Sequence, residues 1–213
     1  MKLFVGIQAR TNSTRLFQKI YHRIGDKSIL QHVYDRCLAA GVGEVRILGP
    51  KDDQTLAHYC QEHKLPLTRP DCPENDLLSR YDLSMGPSDE GVIRVTSDCW
   101  DISPKVIKEC ANLLQTLDYV SNCITRSFRE GDDVQGCSQR GLTWFNRTQK
   151  EDREHPFLPF DTNAKVRLDF VTSGLRYFEL TDFNNVIFQH NSIDTMEDLE
   201  RARKRYGSQG TGK

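Results

Sequence analysis

Cationic and small polar side chains follow the first apolar run of the sequence. The stretch ARTNSTRLFQK comes directly after LFVGIQ and contains Arg10, Ser13, Thr14, Arg15 and Lys19. Guanidinium and ammonium groups bind phosphate oxygens, and serine and threonine hydroxyls donate to the same oxygens. Neither GxxxxGK[ST] nor GxGxxG occurs, which excludes the two common glycine-rich phosphate loops. The stretch therefore indicates phosphate binding by side chains and loop amides, with a solvated basic loop as the alternative.

The surrounding segments alternate between strand and helix patterns. Short apolar runs bounded by polar residues predict strands at 3–8, 44–48, 65–69, 91–96, 118–122 and 186–190. Apolar residues at helical spacing, with capping residues, predict helices at 28–41, at 74–85, and after Asp53 and Ser103. Repeated βαβ units predict an α/β fold, a Rossmann-like, doubly wound, mostly parallel sheet with helices on both faces. Ligands of such sheets bind beyond the carboxyl ends of the strands, where ARTNSTR and SDCWD both fall.

Composition limits the class of protein. The chain has 213 residues, with 29 Lys and Arg, 30 Asp and Glu, and a formal net charge of −1. This balance argues against a nucleic-acid coat and against a binder of anionic membranes. No apolar run approaches the ~20 residues of a membrane span, and the N-terminus lacks the apolar stretch of a signal peptide. Seven cysteines without a CxxC pair favour free thiols, so we expect a cytoplasmic protein.

The length favours one domain, which we place at residues 1–206. Within it, residues from about 123 to 165 carry scattered Gly, Arg, Asp and His without a clear period. We expect this segment to form a small inserted lobe or a dimerisation arm. The last residues, GSQGTGK at 207–213, are predicted to be a flexible tail.

Several segments resemble one enzyme family in the same order along the chain. IQARTNSTRLFQK resembles the opening of the CMP-sugar synthetase group of cytidylyltransferases, which includes the 3-deoxy-manno-octulosonate and acylneuraminate enzymes. ENDLLSRY, RVTSDCWDISP, DYVSNCITRSFREGDDV, DREH and IDTMEDLERAR follow the family's later segments. The spore-coat polysaccharide biosynthesis branch is the most similar. The resemblance implies a fold of the nucleotide-diphospho-sugar transferase type and a homodimer.

The resemblance also implies a reaction, in which Mg²⁺-dependent transfer of CMP from CTP to an acidic sugar or related acid releases pyrophosphate for surface polysaccharide synthesis. The implied nucleotide-binding residues are Ala9, Arg10, Ser13, Thr14, Arg15, Lys19, Arg80, Thr96 and Ser97. Arg10, Lys19 and Asp98 are implied as catalytic, and Asp98 and Asp194 as the metal ligands. Three structural alternatives stay open here: Asp98 as a turn residue, Asp194 as a helix cap, and ENDLLSRY as a surface helix.

The acceptor side is implied less directly. Asn122, Arg126, Asp133, Arg153 and His155 stand where the family binds its second substrate. An arginine here would suit an acceptor carboxylate or phosphate, and His155 would suit a general base. The alternative is that His155 is a surface or structural histidine.

The sequence departs from the family pattern at residues that shape the backbone. Phe17 and Gln18 replace Pro-Gly, Ser97 and Trp100 replace the Gly and Pro of Gly-Asp-Cys-Pro, and Gln135 stands where an acid is common. These departures keep two other functions open. One is a nucleotidyltransferase that uses another nucleoside triphosphate, and the other is a nucleotide-binding or interaction protein that has lost catalysis.

Overall fold

The computed structural model describes residues 1–13, 15–182 and 192–209. The strands are β1 (Leu3–Gln8), β2 (Arg23–Ile24), β3 (Lys27–Ser28), β4 (Glu44–Leu48), β5 (Leu67–Thr68), β6 (Gly91–Thr96), β7 (Tyr119–Ser121), β8 (Gln135–Ser138) and β9 (Tyr177–Glu179). The helices are α1 (Ile29–Ala39), α2 (Gln54–Glu62), α3 (Leu77–Leu83), α4 (Pro104–Leu114), α5 (Gln139–Thr148), α6 (Leu158–Thr162), α7 (Ala164–Thr172) and α8 (Met196–Gln209). The strand predicted at 186–190 lies outside the described residues, as does Thr14.

The main sheet has the order β5-β4-β1-β6-β8-β7-β9 in the described part of the chain. Every pair is parallel except the two that β8 makes, which are antiparallel. The chain moves outward from β1 to β4 and β5, then returns to place β6 on the other side of β1. This reversal opens a crevice at the carboxyl ends of β1 and β6. The predicted doubly wound, mostly parallel α/β fold is therefore confirmed.

Two apolar cores lie on opposite faces of the sheet because successive strand residues point to opposite sides. Val5 and Ile93 belong to a core with residues of α1, α2 and α4. Phe4 and Val92 belong to a second core with residues of α3, α5, α6 and α7. A third, smaller cluster packs α8 against the β2–β3 hairpin and Trp100. Buried apolar residues on both faces are typical of a sheet covered by helices on each side.

The segment 123–165 does not form a separate lobe. Its strand β8 lies inside the main sheet between β6 and β7, and α5 packs against β8. The sequence of β8, QGCS, does not alternate between apolar and polar residues. Its second residue is Gly136, where α4 lies too close for a larger side chain. A Cβ on Gly136 would lie 2.9 Å from the Cys110 Sγ and 3.1 Å from the Ile93 Cδ1. Close helix packing therefore selects the small residues that conceal this strand in the sequence.

Helix ends also differ from the sequence prediction by a few residues. Helix α8 continues to Gln209, so part of the predicted tail at 207–213 is helical. Helix α3 begins at Leu77, after its N-cap Asp76, rather than at residue 74. None of the described helices is both long and apolar enough to cross a membrane.

Side-chain caps fix the start of the helices that flank the crevice. The Ser28 hydroxyl accepts a hydrogen bond from the Gln31 backbone NH, and the Gln31 side chain accepts one from the Ser28 NH. The Asp53 carboxylate caps α2 at the Leu56 NH. Ser103 occupies the N-cap of α4, but its side chain makes no capping hydrogen bond.

We expect Ser28→Ala to lower the free energy of unfolding by about 1 kcal/mol, because it removes an N-cap acceptor. It also removes the acceptor of the Tyr59 hydroxyl, 2.6 Å away. Urea denaturation measures the change, and Ser103→Ala is the matched control. Equal effects of the two substitutions would contradict the capping argument.

Candidate functional site

The loops after β1 and β6 meet in the crevice and enclose a cavity of about 170 Å³, which we call the loop cavity. Eight of the nine predicted nucleotide-binding residues line it, and the ninth, Thr14, lies outside the described residues. The eight are Ala9, Arg10, Ser13, Arg15, Lys19, Arg80, Thr96 and Ser97. Asp98 lines the same cavity. The structure therefore brings together residues from three separate segments of the sequence.

Lys19 lies between the two predicted metal-binding carboxylates. Its Nζ donates to the Asp98 Oδ2 at 2.6 Å and to the Asp194 Oδ1 at 2.9 Å. The guanidinium of Arg15 lies 2.8 Å from the same Asp194 oxygen. The result is an alternating cluster of two cations and two anions at the wall of the crevice.

The pKa values in this cluster move in the directions expected for ion pairs. Burial favours the neutral acid at Asp98, but the charge and hydrogen bond of Lys19, with a further bond from Thr96, outweigh burial and lower the pKa of Asp98. Burial likewise opposes the charge on Lys19, and the two carboxylates outweigh it and raise the pKa of Lys19. Both Asp98 and Lys19 are therefore ionised at neutral pH.

Backbone contacts bring Asp98 and Asp194 together. Asp98 follows β6, where the Ser97 NH donates to the Gln8 carbonyl at 3.1 Å and joins this loop to β1. The Ile193 NH donates to the Asp98 carbonyl at 3.1 Å, which sets the next residue, Asp194, beside the loop. Asp98 is therefore more than a turn residue, because its side chain binds Lys19.

The cap of α8 is formed by residues other than Asp194. The Asp198 carboxylate accepts from the Thr195 NH at 2.8 Å, and the Asp198 NH donates to the Thr195 hydroxyl at 3.2 Å. The Asp194 carboxylate instead binds Lys19 and Arg15. The capping alternative for Asp194 is thus not what the structure shows.

The turn before Lys19 forms with Phe17 and Gln18 at the positions where the family pattern has Pro-Gly. Gln18 has φ 51° and ψ 35°, the left-handed conformation that glycine adopts without strain. A short 3₁₀ turn, Lys19–Tyr21, follows it. A left-handed L-residue costs about 1–2 kcal/mol, so the surrounding contacts hold this turn against local strain.

Arg80 and Arg10 line the side of the loop cavity next to α3. Arg80 is buried, donates to the Glu74 carbonyl at 2.7 Å, and leaves its Nε without a hydrogen-bond partner. Arg10 is about half exposed and lies 3.0 Å from Glu154 and 3.8 Å from Glu74. The segment ENDLLSRY is therefore not simply a surface helix, since Arg80 is buried and lines the loop cavity.

A second cavity, of about 150 Å³, adjoins the first, and we call it the acceptor cavity. Three of the five predicted acceptor residues line it: Arg126, Asp133 and His155. Thr96 lines both cavities, so they meet at the end of β6. Burial raises the pKa of Asp133, although Arg126 and Arg94 counteract part of the effect.

The structure does not bring Asn122 and Arg153 to this site. The Asn122 amide is buried, donating to the Asp132 carbonyl at 2.7 Å and accepting from the Val134 NH at 2.8 Å. The Arg153 Nε donates to the Asp76 carboxylate at 2.7 Å, and its other nitrogens bind the side chains of Ser79 and Asn146 and a backbone carbonyl. Both side chains already hydrogen-bond groups of neighbouring segments, and neither lines the loop cavity or the acceptor cavity.

Three further residues of the acceptor cavity were missed from sequence: Arg94, Gln135 and Asp161. The available signal was Arg94, a cation inside the otherwise apolar strand GVIRVT. Gln135 was noted only as a departure from the family pattern, and Asp161 carried no signal, because β8 and α6 were not recognised as elements.

We expect Arg153→Ala to lower the free energy of unfolding by about 2 kcal/mol, because it removes the counter-charge of Asp76 and leaves the Asn146 Oδ1 without its donor. Urea denaturation measures this, with Arg147→Ala on the exposed side of α5 as control. An unchanged unfolding free energy, together with weaker binding of an acid acceptor, would restore the role predicted from sequence.

Comparison with known proteins identifies the family. A cytidylyltransferase family model matches residues 5–206. The 3-deoxy-manno-octulosonate cytidylyltransferase of Rhodopirellula baltica is 35% identical over 117 residues, which cover 54% of this chain and 46% of that protein. A cytidylyltransferase structure from Leptospira borgpetersenii superposes with a TM-score of 0.84 at 25% identity. The match covers 98% of this chain and 87% of the Leptospira chain.

A CMP:2-keto-3-deoxy-manno-octonic acid synthetase, solved in complex with CTP, has the same fold. Its TM-score is 0.68 at 18% identity, with 98% of this chain and 100% of that chain covered. The chain spans between 46% and 65% of the length of the curated relatives it matches. Because the family model covers nearly the whole chain, including both loops of the crevice, the chain belongs to the cytidylyltransferase family.

Proposed function

We propose that this protein transfers CMP from CTP to an acidic sugar or related acid, with Mg²⁺, and releases pyrophosphate. The observation that carries the proposal is the position of Lys19 between Asp98 and Asp194 in the crevice of a cytidylyltransferase fold. The acceptor, the metal and the spore-coat branch are inferred from the resemblance of the sequence to the CMP-sugar synthetase group.

The cations of the loop cavity suit a triphosphate. Arg10, Arg15 and Lys19 line the cavity with the Ser13 hydroxyl. Attack on the α-phosphorus spreads negative charge over its equatorial oxygens and the leaving pyrophosphate. Cations held in place before the reaction stabilise that charge without reorganisation. Each of these cations would exchange its present carboxylate partner for a phosphate oxygen.

Asp98 and Asp194 fit a magnesium ion as its protein ligands. Mg²⁺ is usually bound by one or two carboxylates, with waters and substrate phosphates completing the octahedron. Among the described residues no group of three or more His, Cys, Asp or Glu is placed to hold a metal, so two carboxylates are what this site offers. When bound there, the ion would supply Lewis-acid neutralisation of phosphate charge.

The nucleoside is proposed to lie against α3. Arg80 supplies a buried guanidinium whose Nε has no partner, and a cytosine carbonyl would satisfy it. Ala9, Thr96 and Ser97 line the same cavity and are proposed to contact base or ribose. The choice of base would then depend on few contacts. A base other than cytosine could accept this hydrogen bond, and the protein would then be a nucleotidyltransferase that uses another nucleotide.

The test is calorimetric titration with CTP, GTP, ATP and UTP in the presence of Mg²⁺, followed by assays of pyrophosphate release with a panel of sugar acids. We expect selective CTP binding and acid-dependent release. Selective binding of another nucleotide would replace CTP in the proposal. CTP binding without release for any acid would favour the non-catalytic alternative.

We expect Asp98→Asn to abolish metal-dependent turnover while the protein stays folded, because one of two carboxylate ligands is lost. Asp35→Asn, which removes an exposed carboxylate of α1 that pairs with Lys27, is the matched control. Pyrophosphate release is the assay, and Mn²⁺ binding measured by electron paramagnetic resonance is the second readout. Unchanged turnover would remove Asp98 from the metal site.

We expect Lys19→Ala to lower kcat by roughly 100-fold and to change the KM for CTP much less, because its charge acts mainly on the transition state. Lys27→Ala, an exposed ammonium paired with Asp35, controls for loss of charge alone. A rise in KM with unchanged kcat would instead make Lys19 a ground-state contact.

We also propose, from the resemblance, a cytoplasmic homodimer that acts in surface polysaccharide synthesis. All seven cysteines lie in the described part of the chain and are free thiols, and six of them are buried. Unpaired thiols suit a reducing compartment, which is also where CTP is available.

A further inference from the structure

Arg94 is a cation in the wall of the acceptor cavity whose close partners are neutral. Its Nε donates to the Gln8 side-chain oxygen at 3.1 Å, and its Nη1 donates to the side-chain oxygen of Gln135. No carboxylate of residues 1–13, 15–182 or 192–209 lies within ion-pair distance of this guanidinium. A partly buried guanidinium without a counter-charge is unusual, because buried charges are normally paired.

The neutral partner is held in place by a second layer of hydrogen bonds. The Gln135 side-chain NH₂ donates to the Asp161 carboxyl, which also accepts from the Tyr119 hydroxyl at 3.0 Å. With its NH₂ engaged by Asp161, the Gln135 amide must present its oxygen to Arg94. The orientation of the amide is therefore set by Asp161 and not by solvent.

Two acids, Asp161 and Asp133, line the same cavity but do not contact the guanidinium of Arg94. Burial raises the pKa of Asp161 to about 6, although Tyr119, Gln135 and Arg94 all counteract that effect. Burial also raises the pKa of Asp133, the other acid that lines the cavity. Arg126, at the exposed side, lies 3.7 Å from Asp133 and adds a second cation. Arg126 thus has Asp133 as its counter-charge, and Arg94 is left as the cation of this cavity whose direct partners are neutral amides.

We propose that Arg94 binds the carboxylate of the acceptor and that Gln135, anchored on Asp161, is a positioning residue that keeps Arg94 free of an internal counter-ion. This rests on the proposed function, because it takes the acceptor to be an acid. It also accounts for Gln135 at a position where the family commonly has an acid. A glutamate there would neutralise Arg94 before the acceptor arrived.

The geometry also places the bound acid beside the nucleotide. Thr96, two residues after Arg94 on the same face of β6, lines both cavities. An acid held by Arg94 would therefore lie next to the phosphate-binding side of the crevice, with its remaining groups toward His155 and Thr162. The cavity volume of about 150 Å³ thus favours a compact acid.

The test measures how strongly the protein discriminates an acid from its uncharged amide. The probes are 3-deoxy-manno-octulosonate and N-acetylneuraminate, each paired with its C1 amide. Calorimetry or ligand-observed NMR is performed on the full chain with EDTA, with and without CTP, so that no turnover occurs. We expect at least one acid to bind wild-type protein about tenfold or more tightly than its amide.

Gln135→Glu is expected to reduce the ratio of acid affinity to amide affinity to about twofold, because the new carboxylate neutralises Arg94. The affinity for CTP should be unchanged. Gln61→Glu, on the exposed face of α2, adds the same charge elsewhere and should leave the ratio intact. Arg94→Gln is the second variant, and it should abolish the ratio even if Gln135→Glu fails to fold. A general loss of structure would weaken the acid and the amide alike.

Equal binding of acid and amide by wild-type protein, no binding of either acid, or an unchanged ratio in Arg94→Gln would overturn the inference. Pyrophosphate release from CTP is followed separately in the same preparations with Mg²⁺. If the preference for the acid over the amide depends on Arg94 but CTP does not bind, the proposed function is refuted and the anion site is retained. Turnover that proceeds equally well with acid and amide would refute the anion site alone.

Discussion

The bridge from Lys19 to Asp98 and Asp194 is the constraint on which the arrangement of the crevice depends. It joins three points of the chain that are 79 and 175 residues apart. None of the three would hold its position alone, because a partly buried charge needs its partners. Lys19 and Asp98 follow the paired strands β1 and β6, and Asp194 is held by its NH bond to Asp198 of α8 and by the Ile193 NH bond to the Asp98 carbonyl.

The docking of α8 depends on a second charge cluster directly after the Asp98 loop. The Asp101 carboxylate, which is nearly buried, binds the guanidinium groups of Arg36, Arg129 and Arg205, from α1, the loop after β7 and α8. Trp100 packs in the third apolar cluster with Leu199 and Ile193, and Arg205 lies over its ring. Trp100 therefore packs at the α8 interface and does not line the loop cavity. Loss of this interface would release Asp194 from Lys19.

Elements could be predicted from sequence where the order of apolar and polar residues follows their burial in the fold. The strands β1 and β6 are apolar runs followed by polar loops, so their crevice and most of its lining residues could be predicted. The same reasoning failed at β8, where packing against α4 requires glycine and hides the strand. It also failed at Arg153 and Asn122, because a sequence does not show that a polar side chain has its partners inside the fold. Arg94 was missed although it is a cation inside an apolar strand, and its lack of a carboxylate partner appears only in three dimensions.

The cations of the two cavities differ in whether they already have a carboxylate partner. For the proposed substrates, this difference bears on the order of binding. In the loop cavity every cation named above except Arg80 is paired with a carboxylate, so a phosphate gains only the difference between two ion pairs. In the acceptor cavity Arg94 has amide partners, so a carboxylate gains a full charge-assisted contact. Under the proposed function, release of Lys19 and Arg15 by the triphosphate would also free Asp98 and Asp194 to hold a metal. On that proposal, nucleotide and metal binding would be coupled through one exchange of partners, whereas the hydrogen bonds from Arg94 to Gln135 and from Gln135 to Asp161 are already formed.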